Sequence, residues 1–495
     1  MDAAFAAART IDGCTRRQPY SLQAGEGRLD FLPLGVPAMR QRLYVISDLH
    51  LGGAPAEGDK GGFQICPPTT QAAMAAFIGR LPAPDAQADT RLVIAGDIVD
   101  FLAEEPFAAF TANPAAALAK FRSIVKNTAP VWQALRSFVA NQGGALTLML
   151  GNHDIELSLP AVREALLSEV GAGRVDFIYD NEAFTEGPVL IEHGNRFDAW
   201  NAVPHGALRR VRSQLSRRLP VQPGFPTLPG SRLVVDVMNG LKKEYPFIDL
   251  LKPEDAAALP VAAALGAGGV RDVWKFFGNF ARQWTEDFDE ESGEPTNQEL
   301  IAAAGAGGGV SAEDQAMFDL AENIAAGGQA DQISFVGDLK AKARREALFL
   351  AMRKLADKHR QAFAVEHEIE TYLKPARHSA KAGWHVVVYG HTHLAKRVAV
   401  GDAVYLNSGT WADLMRMPDD VWSASAAVAR AALSSFVDDL AQGALANWRR
   451  SLPTYALIEL DDDHAATHAD VHFADNDETI STESIWQRLA GGAAK

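Results

Sequence analysis

Arg42-Leu43-Tyr44-Val45-Ile46-Ser47-Asp48-Leu49-His50 is an apolar, β-branched run that ends in a carboxylate and an imidazole two residues apart. The arrangement recurs. Residues 91–95 run into Gly96-Asp97, residues 145–150 into Gly151-Asn152-His153-Asp154, residues 189–192 into His193-Gly194, and residues 384–389 into Gly390-His391-Thr392-His393. Short apolar runs bounded by polar turns read as buried strands. In open α/β sheets ligands bind beyond the carboxyl ends of strands, so five strands delivering polar residues at that end predict one shared site.

Helical patterns fill the intervals at residues 70–81, 129–141 and 160–170, with Pro130 and Pro160 in first turns where proline is tolerated. Strands alternating with helices predict a layered α/β fold. About 190 residues separate the His193 and Gly390 blocks, and they read as a mostly helical insertion or cap. Within it, residues 305–309 form a glycine-rich break, Ser311 a helix N-cap, residues 338–373 a long helical pattern before Pro375, and residues 286–294 an acidic solvated loop. The organisation expected is an N-terminal extension (1–41) with little that must be helix or strand, a first part of the main domain (42–200), the insertion (201–383), a second part (384–475) and a tail (476–495). In the second part, residues 403–407 read as a strand, 422–447 as a helix, and 455–460 with 468–473 as a closing hairpin.

The bulk properties exclude several classes. The chain of 495 residues, a length that alone suggests roughly three domains, is 47% hydrophobic and 22% charged, as in ordinary globular proteins. No apolar run is long enough to span a bilayer. A net charge of −15 disfavours nonspecific binding to a polyanion. Two cysteines, Cys14 and Cys66, cannot form a disulfide framework, and the N-terminus has neither the basic nor the apolar region of a signal peptide. A cytoplasmic location is expected, with peripheral membrane contact left open.

The blocks supply Asp48, His50, Asp97, Asn152, His193, His391 and His393. These oxygen and imidazole donors suit divalent transition metals better than the all-oxygen shell favoured by magnesium. An Asp at a strand mouth can bridge two cations through its two oxygens, and its preceding glycine permits a tight turn. Bland readings hold elsewhere: His205 and His385 as ordinary core or surface residues, and His464, His468 and His472 as part of a solvated hairpin. Residues 407–411 read as a turn near the pocket, with substrate contact open.

The pattern D-x-H, GD, GNH[DE], H, GHxH, in this order, resembles the calcineurin-like metallophosphoesterase family over roughly residues 42–200 and 384–475. The resemblance implies a four-layer α/β/β/α sandwich carrying two divalent ions, manganese first, with iron or zinc also accepted by these ligands. One ion would be held by Asp48, His50, Asp97 and His393, the other by Asp97, Asn152, His193 and His391. It implies hydrolysis of a phosphoester or diphosphate by a metal-bridging hydroxide. His153 would stand near the leaving group and Asp154 would orient its imidazole.

Gly96-Asp97-Ile98-Val99-Asp100 and His193-Gly194-Asn195-Arg196-Phe197-Asp198 are similar to segments of the UDP-2,3-diacylglucosamine pyrophosphohydrolases, which cleave a diphosphate under a helical cap. Asp100, Asn195, Arg196 and Asp198 are thereby candidates for steadying ligands or touching substrate. This chain departs from those enzymes in its longer insertion, its extra N-terminal extension, and His153 where they usually place Arg. The expected substrate is a small or lipid-linked phosphate compound. A metal-dependent nuclease, disfavoured by the acidic charge, and a noncatalytic scaffold on the same fold are the alternatives. Leu208, Val211, Leu215 and Leu219 form a stripe beside Arg209, Arg210, Arg212, Arg217 and Arg218, which reads as a cap helix with its stripe in a core in preference to a lipid-facing one.

Overall fold

The computed structural model describes residues 20–25, 28–33, 39–54, 62–198, 200–242, 250, 361–415 and 417–490. The expectations for residues 286–294, 305–309, Ser311 and most of 338–373 fall outside them. The chain divides into two units, Met1–Met39 and Arg40–Lys495. In the first, β1 (Tyr20–Gly25) and β2 (Arg28–Pro33) pair antiparallel, so the extension contains a hairpin that its weak periodicity did not reveal.

In the second unit, β3 (Arg40–Ile46) is followed by α1 (Pro68–Arg80), β4 (Ala88–Ala95), α2 (Pro114–Asn127), α3 (Ala129–Ala140), β5 (Ala145–Met149), α4 (Pro160–Val170) and β6 (Val175–Ile178). Strands β3, β4, β5 and β6 pair in parallel. Helix α2 carries a readable start: Pro114 opens it, and the Asn113 side chain accepts from Ala115 N at 3.0 Å and Ala116 N at 3.1 Å. β7 (Phe184–Glu186) and β8 (Val189–Ile191) belong to another sheet, and α5 (His205–Ser216), α6 (Pro229–Leu233) and α7 (Asn239–Lys242) follow.

After the undescribed stretch come α8 (Glu370–Lys381), β9 (Val386–Tyr389), β10 (Lys396–Val400), β11 (Ala403–Asn407), the short pair β12 (Leu414–Met415) and β13 (Arg449–Arg450) around α9 (Ala426–Ala441), then β14 (Thr454–Leu460), β15 (Ala466–Phe473) and α10 (Thr482–Leu489). The first sheet runs β15-β14-β3-β4-β5-β6 and the second β10-β11-β9-β8-β7.

Alternation in the strands decides what each face buries. Ile46, Leu92, Ile94, Leu146 and Leu148 meet Met74, Phe77, Phe121, Trp132 and Leu166 of the helices on one face of the first sheet. Leu43, Val45, Val93 and Met149 on its other face share a core with Val189, Ile191, Val386 and Val388 of the second sheet. The far face of the second sheet, through Leu190, Val387 and Tyr405, packs on Tyr372, Leu373 and Ala376 of α8.

Several boundaries differ from the sequence reading. Helix α8 runs through Pro375, losing the backbone bond that a proline cannot donate. The stretch expected as one helix over 422–447 contains α9 alone, because Ser425 caps it by accepting from Val428 N and separate 3-10 turns occupy Asp419–Trp422 and Leu445–Asn447. The tail holds α10, capped by Ser481 and Ser484, with Ile485 and Leu489 in the inter-sheet core. The insertion begins inside the main body, since Leu208, Val211, Phe225 and Leu228 join the helix-side core. Arg209 and Arg212 pair with Asp180, and Leu219, the last residue of the expected stripe, lies beyond the end of α5 and is half-exposed. No helix among the described residues is long and apolar enough to cross a membrane.

Candidate metal centre

Five loops leave the carboxyl ends of β3, β4, β5, β8 and β9 and are stitched together by their backbones. Leu49 N and His50 N both donate to Asp97 O, at 2.9 and 3.0 Å, and Gly390 N donates to His193 O at 2.9 Å. Asp48, His50, Asp97, His391 and His393 all have positive φ, between 44° and 68°. Such conformations cost of order 1–3 kcal/mol each and persist only where the surroundings enforce them. Two glycines make room for the ligands: a Cβ at Gly151 would stand 2.0 Å from Asp97 Oδ1, and one at Gly390 would stand 2.6 Å from Asp48 Oδ2.

The side chains fall into groups that share residues' ends. Asp48, His50 and His393 present donor atoms within 4.8 Å of one another, and so do Asp97, His193 and His391. Asp97 Oδ1 accepts from His153 N at 2.8 Å, which leaves Oδ2 facing His193 Nε2 at 3.3 Å and His50 Nε2 at 3.8 Å. That oxygen lies between the two groups. Asp48 is fixed likewise, with Oδ2 accepting from Ser47 Oγ and from His391 N (2.9 Å) and Oδ1 facing His393 Nε2 at 3.2 Å.

Three buried polar atoms here, Asp48 Oδ1, Asn152 Oδ1 and His193 Nε2, make no aligned hydrogen bond. Buried polar atoms normally find partners, and leaving one unpaired costs about 1–3 kcal/mol. The donor set therefore fits divalent cations: two carboxylates, one amide oxygen and four imidazoles, several aimed at shared centres. His193 Nδ1 is held by Ala95 O at 2.8 Å, which directs Nε2 inward.

The charges are mutually compensating. Burial works against ionising Asp97, but His193, His153 and His50 outweigh it and hold the carboxyl well below its ordinary range. Burial disfavours protonated His193, yet Asp97 and Asp48 push it up to about 9.

Asp100 is the hinge of a third group with His50 and His153. Its Oδ1 lies 3.2 Å from His153 Nδ1 and its Oδ2 3.6 Å from His50 Nδ1. Since His50 Nε2 already faces His393 at 3.0 Å, Asp100 is better read as orienting two rings than as a ligand of a further ion. This corrects the expectation for Asp154. Its oxygens accept from Gly151 N (2.8 Å) and Ile98 N (2.7 Å), so it ties two loops together and Asp100 takes the His153 ring. Successive residues leave a turn in different directions, and adjacency in sequence misled here.

Asp198 Oδ2 lies 3.1 Å from His391 Nε2. Asn195 donates to Asn201 O at 2.8 Å, and Arg196 reaches Glu192 at 3.4 Å. Residues 407–411 are buried supports, with Thr410 Oγ1 donating to Asp48 O (2.8 Å) and Asn407 Nδ2 to Gly390 O (2.7 Å), which removes the expected opening for substrate contact. His385 is exposed, and His468 and His472 face each other at 3.4 Å on β15, outside every ligand group formed by the described residues.

No family model and no curated protein matches the chain. Among solved structures it is similar to the crystal structure of Phosphopantetheinyl Hydrolase from Mycobacterium tuberculosis. The likeness has 13% identity, covers 79% of this chain and 100% of that one, and gives a TM-score of 0.25. A score of that size carries no argument about chemistry.

The sequence reading missed Asn201, which donates to Asp198 Oδ2 at 2.7 Å, and Lys242, a buried cation whose charge acts on His153. Asn201 had one visible clue, its place three residues after Asp198. Lys242 lies in the insertion, where nothing in the pattern pointed to the site.

Proposed function

We propose that the chain is a dimetal-dependent hydrolase of a phosphoester or diphosphate bond, built on the calcineurin-like α/β/β/α sandwich. The observation that carries this reading is the position of Asp97 Oδ2 within 3.3 Å of His193 Nε2, in its own donor group, and 3.8 Å of His50 Nε2, in the group of Asp48 and His393. Asp48, His50, Asp97 and His393 would hold one ion, and Asp97, Asn152, His193 and His391 the other. Bound there, two divalent ions such as Mn2+ supply Lewis acidity toward phosphoryl oxygens and a water acidic enough to act as nucleophile near neutral pH.

The remaining roles belong to the chain. His153 is more exposed than the ligands around it, with 21% of its side chain accessible, and its Nδ1 is engaged by Asp100. Its Nε2 is then the atom that can donate a proton to the leaving oxygen. Burial opposes its charge, but Asp100 and Asp97 push the imidazole up to about 10; bound cations would act against that. The base of the insertion closes on this side of the site, where Asn239 Nδ2 donates to Leu102 O at 3.0 Å. A small or lipid-linked phosphate compound fits this setting better than a polyanion, given the net charge of −15.

The test is hydrolysis by Mn2+-loaded protein of a monoester, a diester, a nucleoside-diphosphate conjugate and DNA, with Asp97→Ala as background. Selective turnover of one small-molecule class supports the reading. Turnover of DNA alone, or equal rates in the Asp97→Ala protein, would replace it.

A further inference from the structure

We propose that Asn201 is a positioning residue, clamped by the start of α6, whose amide sets both Asn152 and His391 for the same metal ion and so couples the base of the insertion to that site. The inference rests on the dimetal reading.

Asn152 can present either its oxygen or its NH2 group to a cation, and only the oxygen is a ligand. Asn152 Nδ2 donates to Asn201 Oδ1 at 3.3 Å, which turns the unpartnered Asn152 Oδ1 inward. The other end of the Asn201 amide, Nδ2, donates to Asp198 Oδ2 at 2.7 Å. That same Asp198 oxygen lies 3.1 Å from His391 Nε2. A carboxylate on one ring nitrogen of a histidine fixes the tautomer and leaves the other nitrogen, here Nδ1, as the ligand atom. One amide thus orients a ligand at each of its ends.

Asn201 is itself pinned. Its backbone carbonyl accepts from Asn195 and its N–H donates to Asp198 O at 2.9 Å. Gly230, in α6, donates from its N–H to Trp200 O at 2.8 Å, and a Cβ added to it would stand 2.2 Å from Asn201 Oδ1. The glycine is needed for closeness, since α6 rests directly on the amide. A shift of α6 therefore moves the Asn201 amide, whose side-chain hydrogen bonds reach Asn152 directly and His391 through Asp198.

The experiment is calorimetric titration of the full chain with Mn2+, comparing wild type with Asn201→Ala, Asn201→Asp and Gly230→Ala, alongside thermal unfolding of each in chelator. One of the two sites should weaken by about 10–100-fold in the variants while the other keeps its affinity. Asn201→Asp, which still accepts from Asn152 but repels Asp198, should lose less than Asn201→Ala if the Asn152 arm dominates. Unfolding temperatures in chelator should stay within about 4 °C of wild type. Two sites of wild-type affinity in both Asn201 variants would overturn the inference and leave the dimetal reading standing. No binding by wild type would remove both. If Gly230→Ala fails to fold, the Asn201 pair decides.

Discussion

Asp100 Oδ1 lies 3.2 Å from His153 Nδ1, so the residue after Asn152 takes its orientation from a loop some fifty positions earlier. That contact separates the roles of neighbouring side chains and makes them testable one by one.

His153→Ala should keep both metal ions and lose about 10²–10⁴-fold in rate on a substrate with an alkoxide leaving group. With a good leaving group such as 4-nitrophenolate the loss should be far smaller, because little proton donation is needed. The check is rate against leaving-group pKa for both proteins. Parallel plots would show that His153 is no acid.

Asp154→Ala should act on stability instead. It strips partners from the buried Gly151 N and Ile98 N, at about 1–3 kcal/mol for each. Denaturant unfolding should show that cost, while activity per folded, metal-loaded molecule stays near wild type.

These two residues show how much was legible in the sequence. The strand runs at residues 42–47 and 91–95 announced the loops that carry Asp48 and Asp97, because apolar period and strand-end chemistry agree there. What joins the loops was not legible. The Asp100 and His153 contact, the Asn201 amide and the seating of α6, through Gly230, on that amide arise from tertiary approach between segments whose spacing says nothing of direction. Pro375 inside α8 is a further case in which context overrode a local reading, whereas the hairpin of β1 and β2 is a local pairing that weak periodicity concealed.

The pH dependence should differ between chelated and metal-loaded protein. His193, raised from 6.5 to about 9 by Asp97 and Asp48 against its burial, favours the fold below about pH 6.5 and loses that contribution as pH rises through 9. Asp154, raised to about 8 by burial and Asp97, and Glu156, raised to about 7 by burial, act with the same sign. Chelated protein should therefore lose stability between about pH 7 and 9. Metal binding requires neutral His193 and releases its proton, so Mn2+ affinity should climb over that range. Thermal unfolding with Mn2+ and with EDTA from about pH 6 to 9 should show a widening gap. A constant gap would contradict the assignment of His193.

Gly151→Ala should cost metal before it costs catalysis by any other route. The new Cβ would sit 2.0 Å from Asp97 Oδ1, and overpacking of this kind costs about 1–3 kcal/mol. Metal content of the purified variant should fall below that of wild type. Full loading with unchanged thermal stability would show that the loop yields more easily than the packing implies.

Sharing of Asp97 by two ions is tested most directly by metal stoichiometry with single-turnover hydrolysis, wild type against Asp97→Ala. Two Mn2+ should bind per wild-type chain and fewer than two per variant chain, with the variant's turnover reduced to background. Two tightly bound ions and undiminished hydrolysis in Asp97→Ala would contradict it.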